Sequence, residues 1–289
     1  RVERAPDSDA YYIVGKSGVP GPDNEGLTAN GGFVITRDGV VVFDTLGTPA
    51  LGWGILKQIR QRTDKPVKYV VISHYHADHI YGSQAFRDHT RALIIAHERS
   101  GEYLAGEGAE NRLLQRQGAL YPWVDEDTRL IAPDIRFHER LRFELGGKTF
   151  TVVHSGPAHA PDDSMMLVEP SGVVFSGDVV FLGRLPFIGA GADTERWVRA
   201  LDDLERRAPR FVIPGHGEAL PDAGRAIRFT RGYLRYLRET MGAAAQDLLT
   251  FQEAYEGTDW SRYAGVPTFD AANRGNAHNV YLQMQESMF

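Results

Sequence analysis

Ser73-His74-Tyr75-His76-Ala77-Asp78-His79 follows the apolar run Val70-Val71-Ile72, and this stretch decides how the chain is read. Three imidazoles and one carboxylate fall between residues 74 and 79. Nitrogen and oxygen ligands at this density suit a borderline-soft divalent cation. As mere packing they would be costly, because each buried polar group needs a partner. Val67 to Ile72 reads as a buried strand. The four groups therefore sit in the loop after its C-terminal end, where layered α/β folds gather their chemistry.

Upstream of this strand, Leu51, Ile55, Leu56 and Ile59 recur at helical spacing, with Pro66 beyond the helix end. Before them come apolar runs at Tyr11 to Val14, Leu27 to Thr36 and Val40 to Phe43, the last reached through the turn Arg37-Asp38-Gly39 and ending at Asp44. This predicts an opening meander. Residues 1–10 are polar and read as loose. Ser17 to Asn24 is rich in Gly and Pro, and the loop over residues 17–25 is long enough to cover a site.

Downstream, strands are expected over Ala92 to Ala96, Met165 to Val168, Val173 to Phe175 and Phe211 to Ile213, with a hairpin from Phe143 to Val153 turning at Gly146-Gly147. Residues 98–118 are helix-prone. A second helix places Trp197, Val198, Leu201 and Leu204 on one face, with Thr194 as its cap. Further helices are expected over 222–242, 246–256 and 276–288. Strands in two clusters with helices interspersed fit an α+β, four-layer sandwich of two facing sheets with helices outside. The chain reads as one domain, 1–289, with a helical C-terminal extension from about residue 222.

Composition narrows the functional classes. The 289 residues are 42% hydrophobic and 24% charged, with a net charge of -6. An acidic chain with no basic patch argues against a nucleic-acid partner. No apolar run reaches about 18 residues, so no membrane-spanning helix is expected. Cysteine is absent, which leaves only nitrogen and oxygen to hold a metal. The chain starts at Arg1, and loss of a leader would place it in the periplasm or outside the cell. That exported setting is the expectation. Oligomeric state is not readable from the sequence.

Three more segments end a strand or open a loop with ligand-type residues: His159 in the loop 154–163, Asp178 after Ser176-Gly177, and His216 in Pro214-Gly215-His216-Gly217. With the opening stretch they supply five histidines and two aspartates, enough for two metal ions. The pieces SHYHADH at 73–79, GPAHAPDD at 156–163, FSGDVVF at 175–181 and VIPGHGE at 212–218, with DGVVVFDT at 38–45, resemble the metallo-β-lactamase superfamily. The resemblance implies the αββα sandwich. It also implies two Zn2+ per chain, one held by His74, His76 and His159, the other by Asp78, His79 and His216, with Asp178 bridging them. The activity implied is hydrolysis of a small-molecule ester, thioester or amide by a hydroxide shared between the ions, which Asp78 would orient as the catalytic residue. Asp178 stands where one class of β-lactamases has cysteine, so the site is closer in kind to glyoxalase II. Longer stretches at 30–48, 183–197 and 274–286 resemble exported zinc metallohydrolases linked to sulfur oxidation and quinoprotein systems.

The remaining candidates carry weaker signals. Asp44 and Ser73 are read as supports of the ligands rather than ligands. Tyr75, Tyr81, Tyr121, Trp123, Phe181 and Phe187 stand near the site loops, with core packing as their ordinary role and a substrate wall as their functional one. Arg184 is read as an anchor for an anionic substrate or as the partner of an acid. His278 lies in a tail that could fold over the site. His89, His97, His138 and His154 read as ordinary histidines. Three rival functions stand beside the hydrolase. A β-lactamase would want a lysine at 181, where Phe181 sits. A mononuclear iron persulfide oxygenase would not need Asp78, His79 and His216. A non-catalytic metal-dependent binding protein would not need so complete a ligand set.

Overall fold

Val40-Val41-Val42-Phe43 is apolar at every position because both of its faces are covered. In the computed structural model, which describes residues 1–288, Val40 and Val42 pack under helices while Val41 and Phe43 point into a second sheet. The strand is the centre of a seven-stranded sheet in chain order: β1 (Val2–Arg4), β2 (Ala10–Ile13), β3 (Gly31–Ile35), β4 (Val40–Phe43), β5 (Val67–Val71), β6 (Leu93–His97) and β7 (Ile135–Phe137). The first four strands are antiparallel, as a meander requires, and β4 to β7 pair in parallel. Parallel neighbours need crossovers, and helices supply them. They are α1 (Pro49–Arg60) between β4 and β5, α2 (Ala77–Ile80) and α3 (Ser83–His89) between β5 and β6, and α4 (Glu98–Leu104) and α5 (Glu107–Leu120) before β7.

The second half forms β8 (Arg140–Leu145), β9 (Lys148–His154), β10 (Ser164–Glu169), β11 (Val173–Phe175), the short β12 (Phe181–Leu182), β13 (Phe211–Ile213) and the short β14 (His216–Gly217). Five of them make a sheet in the order β13-β11-β10-β9-β8, while β12 and β14 pair separately. Period two sorts the side chains. Met166, Val168, Val173, Phe175, Phe211 and Ile213 face the first sheet, where Phe43 meets Phe175 at 5.3 Å between ring centroids. Met165, Val174 and Val212 face outward, under α6 (Thr194–Arg206), α7 (Ala223–Gln246) and α9 (Phe269–Glu286), with the short α8 (Phe251–Gly257) packed beside them. Helix, sheet, sheet, helix is the resulting layer order.

The structure corrects several sequence expectations. The arm read as loose contains β1, whose Val2 to Arg4 pair with Ile13 to Tyr11. The helix expected to be capped by Thr194 is capped by Asp193, which accepts from Arg196 N at 2.9 Å. The helix-prone run after residue 98 breaks at Ala105-Gly106. Strand β7 gives only three residues of signal and was not expected. The last helices run over 251–257 and 269–286, because Thr250 starts α8 with a capping box while Trp260 to Val266 form turns. Among the described residues, no helix is long and apolar enough to cross a membrane.

Candidate metal centre

Four loops at one end of the sandwich converge, one from the first sheet and three from the second. The loop after β5 carries His74 and His76 and winds into α2, which turns Asp78 and His79 inward. The loop after β9 carries His159, the turn after β11 carries Asp178, and β14 carries His216. Two glycines permit the approach. A Cβ on Gly215 would stand 2.1 Å from Asp178 Oδ1, and Gly177 adopts φ +51° against the Ser73 side chain.

Two groups of nitrogen and oxygen atoms result. His76 Nδ1 lies 3.0 Å from His74 Nε2 and 2.9 Å from His159 Nε2. Asp78 Oδ2 lies 3.4 Å from His216 Nε2 and 4.0 Å from His79 Nε2. Asp178 stands between them. Its Oδ1 is 3.2 Å from His79 Nε2, and its Oδ2 is 3.3 Å from both His159 Nε2 and His216 Nε2. His74, His79 and His159 are buried, as are Asp178 and His216.

Tautomers follow from the outer partners. Asp44 is fully buried, and its Oδ1 accepts from Ser73 N at 2.7 Å. Its Oδ2 accepts from Ser73 Oγ at 2.7 Å and from His79 Nδ1 at 2.8 Å. Because the Ser73 hydroxyl proton is spent on Asp44, His74 Nδ1 must donate to Ser73 Oγ, at 2.9 Å. His216 Nδ1 donates to Thr28 O at 2.6 Å. His74 and His216 therefore present a bare Nε2 inward, and His79, with Nδ1 spent on Asp44, aims its Nε2 at Asp178.

These residues fit divalent cations. His79 Nε2 and Asp178 Oδ1 are buried with no hydrogen-bond partner, which is costly unless something positive sits between them. One imidazole nitrogen facing two others at about 3 Å is ligand geometry, since a single proton cannot satisfy all three. The electrostatics agree at His74, His76 and His159, while at His79 burial is outweighed by Asp178, Asp44 and Asp78, which push the ring well above the usual imidazole range and call for a positive charge at that point. Burial, with the neighbours His79 and His76, holds His74 well below the usual imidazole range. Burial likewise takes His76 down to about 3 and His159 to about 4, so both offer lone pairs at neutral pH. Burial works against ionising Asp178, but His216, His79 and His159 outweigh it and keep the carboxylate charged.

The other candidates scatter. Phe181, Phe187 and Arg184 line a pocket of about 430 Å³ above the ligands, together with Val19, Arg112 and Arg116. Phe181 stacks on His216 at 5.1 Å. Tyr75 stacks on Tyr103 at 3.9 Å, Tyr81 is buried, and Tyr121 is exposed on the surface; none of the three lines the pocket. Trp123 holds the covering segment by donating from Nε1 to Pro22 O at 3.0 Å. His278 does not fold over the site. It packs on Phe251, because α9 is committed to α7 and α8. His97 and His154 stack on each other at 3.9 Å, and each is spent on main-chain hydrogen bonds.

Sequence reasoning passed over several supports. The segment between β2 and β3 is pinned by main-chain oxygens: Gly18 O accepts from Arg184 Nη1 at 3.1 Å, Pro22 O from Trp123 and Thr28 O from His216. Buried Asn30 accepts from Gly15 N and donates to Pro214 O and Gly217 O, all at 2.8 Å, clamping the turn that carries His216. Asp163 accepts from Ala160 N at 2.6 Å beside His159, and Asp162, which burial raises to about 7, accepts from Ser100 Oγ at 2.5 Å. Asn30→Ala strands three main-chain groups at once. It is expected to cost roughly 2–5 kcal/mol, given about 1–3 kcal/mol for each unpaired buried group. A urea melt would read that loss, and an unchanged midpoint would contradict the clamp.

Comparison with known proteins agrees with this geometry. Residues 25–216 match the family model described as the metallo-beta-lactamase superfamily. A linear primary-alkylsulfatase from Pseudomonas sp. (strain ATCC 19151) is 26% identical over 237 residues, covering 70% of this chain and 44% of that protein. The chain thus spans less than half the length of that relative. Among solved structures, a metallo-beta-lactamase from Pontibacter korlensis superposes with a TM-score of 0.64 at 22% identity, over 81% of this chain and 98% of that one. The sec-alkyl sulfatase PisA1 superposes with a TM-score of 0.70 at 20% identity, over 97% of this chain and 49% of that one. The fold, the converging histidines and aspartates, and the family match over most of the chain lead to one conclusion: the chain belongs to the metallo-β-lactamase superfamily.

Proposed function

We propose that this chain is a binuclear zinc-dependent hydrolase acting on a small-molecule ester, thioester or amide. The observation that carries the reading is the position of Asp178, whose two carboxylate oxygens each approach a nitrogen of the His79 and His216 pair, with His159 sharing one of them. His74, His76 and His159 would hold one ion, and Asp78, His79 and His216 the other. When bound, the ions supply a hydroxide nucleophile at neutral pH and polarise the scissile group. The chain's own residues do the rest. Asp78 is less buried than Asp178, and its Oδ2 lies 3.5 Å from Thr28 Oγ1 at the pocket, where it would orient the nucleophile. Phe181 and Phe187 wall the pocket and limit water, which strengthens every electrostatic contact inside it. The ester within this class is favoured by the likeness to an alkylsulfatase.

Metal analysis of purified, zinc-supplemented protein is expected to give close to two zinc ions per chain. A panel of ester, thioester, amide, lactam and phosphodiester substrates should then show turnover that a chelator abolishes and zinc restores. A single iron per chain, or a panel on which zinc-loaded protein is inert, would count against the hydrolase.

A further inference from the structure

The pocket above the metal centre is cationic in a chain whose net charge is -6. Arg112 and Arg116 project from α5 one helical turn apart, and Arg184 reaches in from the loop after β12. Several arginines elsewhere have acids of their own, such as Arg87 with Asp134, Arg129 with Asp88, and Arg231 with Asp202 and Glu205, while others without one, such as Arg60, Arg62 and Arg91, are exposed to solvent. Among the described residues, no carboxylate lies within 4.0 Å of a guanidinium nitrogen of Arg112, Arg116 or Arg184, the distance that defines the other pairs. Arg116 Nε is buried without any hydrogen-bond partner. Arg184 is 3% exposed and spends Nη1 on Gly18 O and Nε on Leu185 O, which leaves Nη2 free among the described residues, while Nη1 also lies 3.2 Å from His216 Nδ1, itself a donor and so no acceptor for it.

The plain alternative is that these arginines neutralise Asp78 and Asp178. On the two-metal reading, on which this inference rests, that need disappears, because two divalent ions already exceed two carboxylates. Three cations are then left facing a cavity of about 430 Å³ whose apolar walls include Val19, Pro20, Phe181 and Phe187. Guanidinium groups recognise carboxylate, sulfo and phospho groups through paired, charge-assisted hydrogen bonds. The apolar walls suit a hydrocarbon body of matching size. The geometry points to Arg112, Arg116 and Arg184 as the acid-binding end of the pocket, so that the substrate is an organic anion with an apolar body, held on the Asp78 and His216 side of the metal centre.

Titration calorimetry of the zinc-loaded protein tests this without turnover. The probes are octane-1-sulfonate, octanoate and the neutral octanamide. Octane-1-sulfonate or octanoate is expected to bind at least roughly tenfold tighter than octanamide, in keeping with hydrogen bonds to charged groups. Whichever of the two binds tighter names the acid group. In Arg112→Gln/Arg116→Gln the preference should fall below about threefold while two zinc ions per chain remain, and Arg112→Gln alone, on the exposed flank of α5, should lose part of it. Equal binding of charged and neutral probes by the native protein overturns the proposal. So does a double variant that keeps both its zinc and its preference, since the anion would then rest on the metal alone. Native protein that never holds two zinc ions strikes at the underlying two-metal reading instead.

Discussion

Asp178→Asn is expected to abolish most hydrolysis, by on the order of a hundredfold or more, and to lower zinc content below two ions per chain. The expectation follows from what the two oxygens do. Oδ1 faces His79 Nε2 at 3.2 Å, and Oδ2 faces His159 and His216 Nε2 at 3.3 Å. Asparagine keeps the volume but loses the charge, and it replaces one oxygen with an NH2 that cannot bind a cation. Loss of several kcal/mol of charge stabilisation at a metal centre corresponds to that rate effect. Zinc per chain and turnover should fall together, while the thermal transition of the metal-free forms shows whether the fold survives. A variant that retained both zinc ions and full turnover would overturn the proposed bridging role of Asp178.

Asp44→Asn is expected to weaken zinc binding by roughly 10- to 100-fold, the usual cost of losing a partner that orients metal ligands. Asp44 touches no position where an ion would sit. It acts through Ser73 and His79, taking three hydrogen bonds on a fully buried carboxylate. Asparagine tolerates the left-handed backbone at this residue (φ +55°). It can accept with one atom only, so its NH2 must face a group that is itself a donor. If that group is His79 Nδ1, the ring tautomer is disturbed and the inward lone pair is lost. Excess zinc should restore a large part of the activity with little change in KM, which separates a positioning role from a substrate contact. Turnover that stays low at saturating zinc would refute this account.

What could be read from the sequence alone depended on whether the signal was chemical or positional. His74, His76, Asp78, His79, His159, Asp178 and His216 announce themselves by residue type beside short apolar runs, and the structure gathers all seven. The strands at Val40 to Phe43 and Val173 to Phe175 were equally plain as apolar runs, and the structure adds that each is covered on both faces. Asn30 was not legible, because its partner Pro214 O lies 184 residues away and nothing in the chain between them indicates adjacency. Arg112 and Arg116 looked like an ordinary polar helix face until α5 was laid against the pocket. His278 misled for the complementary reason: its helix packs on α7, and a tail that closes a site is indistinguishable in sequence from one that extends the core.

The segment between β2 and β3 is fastened through Gly18 O, Pro22 O and Thr28 O. Every amino acid supplies a carbonyl, so these three anchors do not depend on the side chains that bear them; the side chain the segment does need is that of Asn24, which accepts from Gly21 N and Gly26 N and donates to Val19 O, and Gly18 and Gly26 hold φ of +127° and +71°. Val19 and Pro20, whose side chains line the pocket, are therefore free to be exchanged while the segment keeps its anchorage. Substrate range can drift at these positions without disturbing the catalytic apparatus, which makes this segment the natural target for diversifying a library of variants.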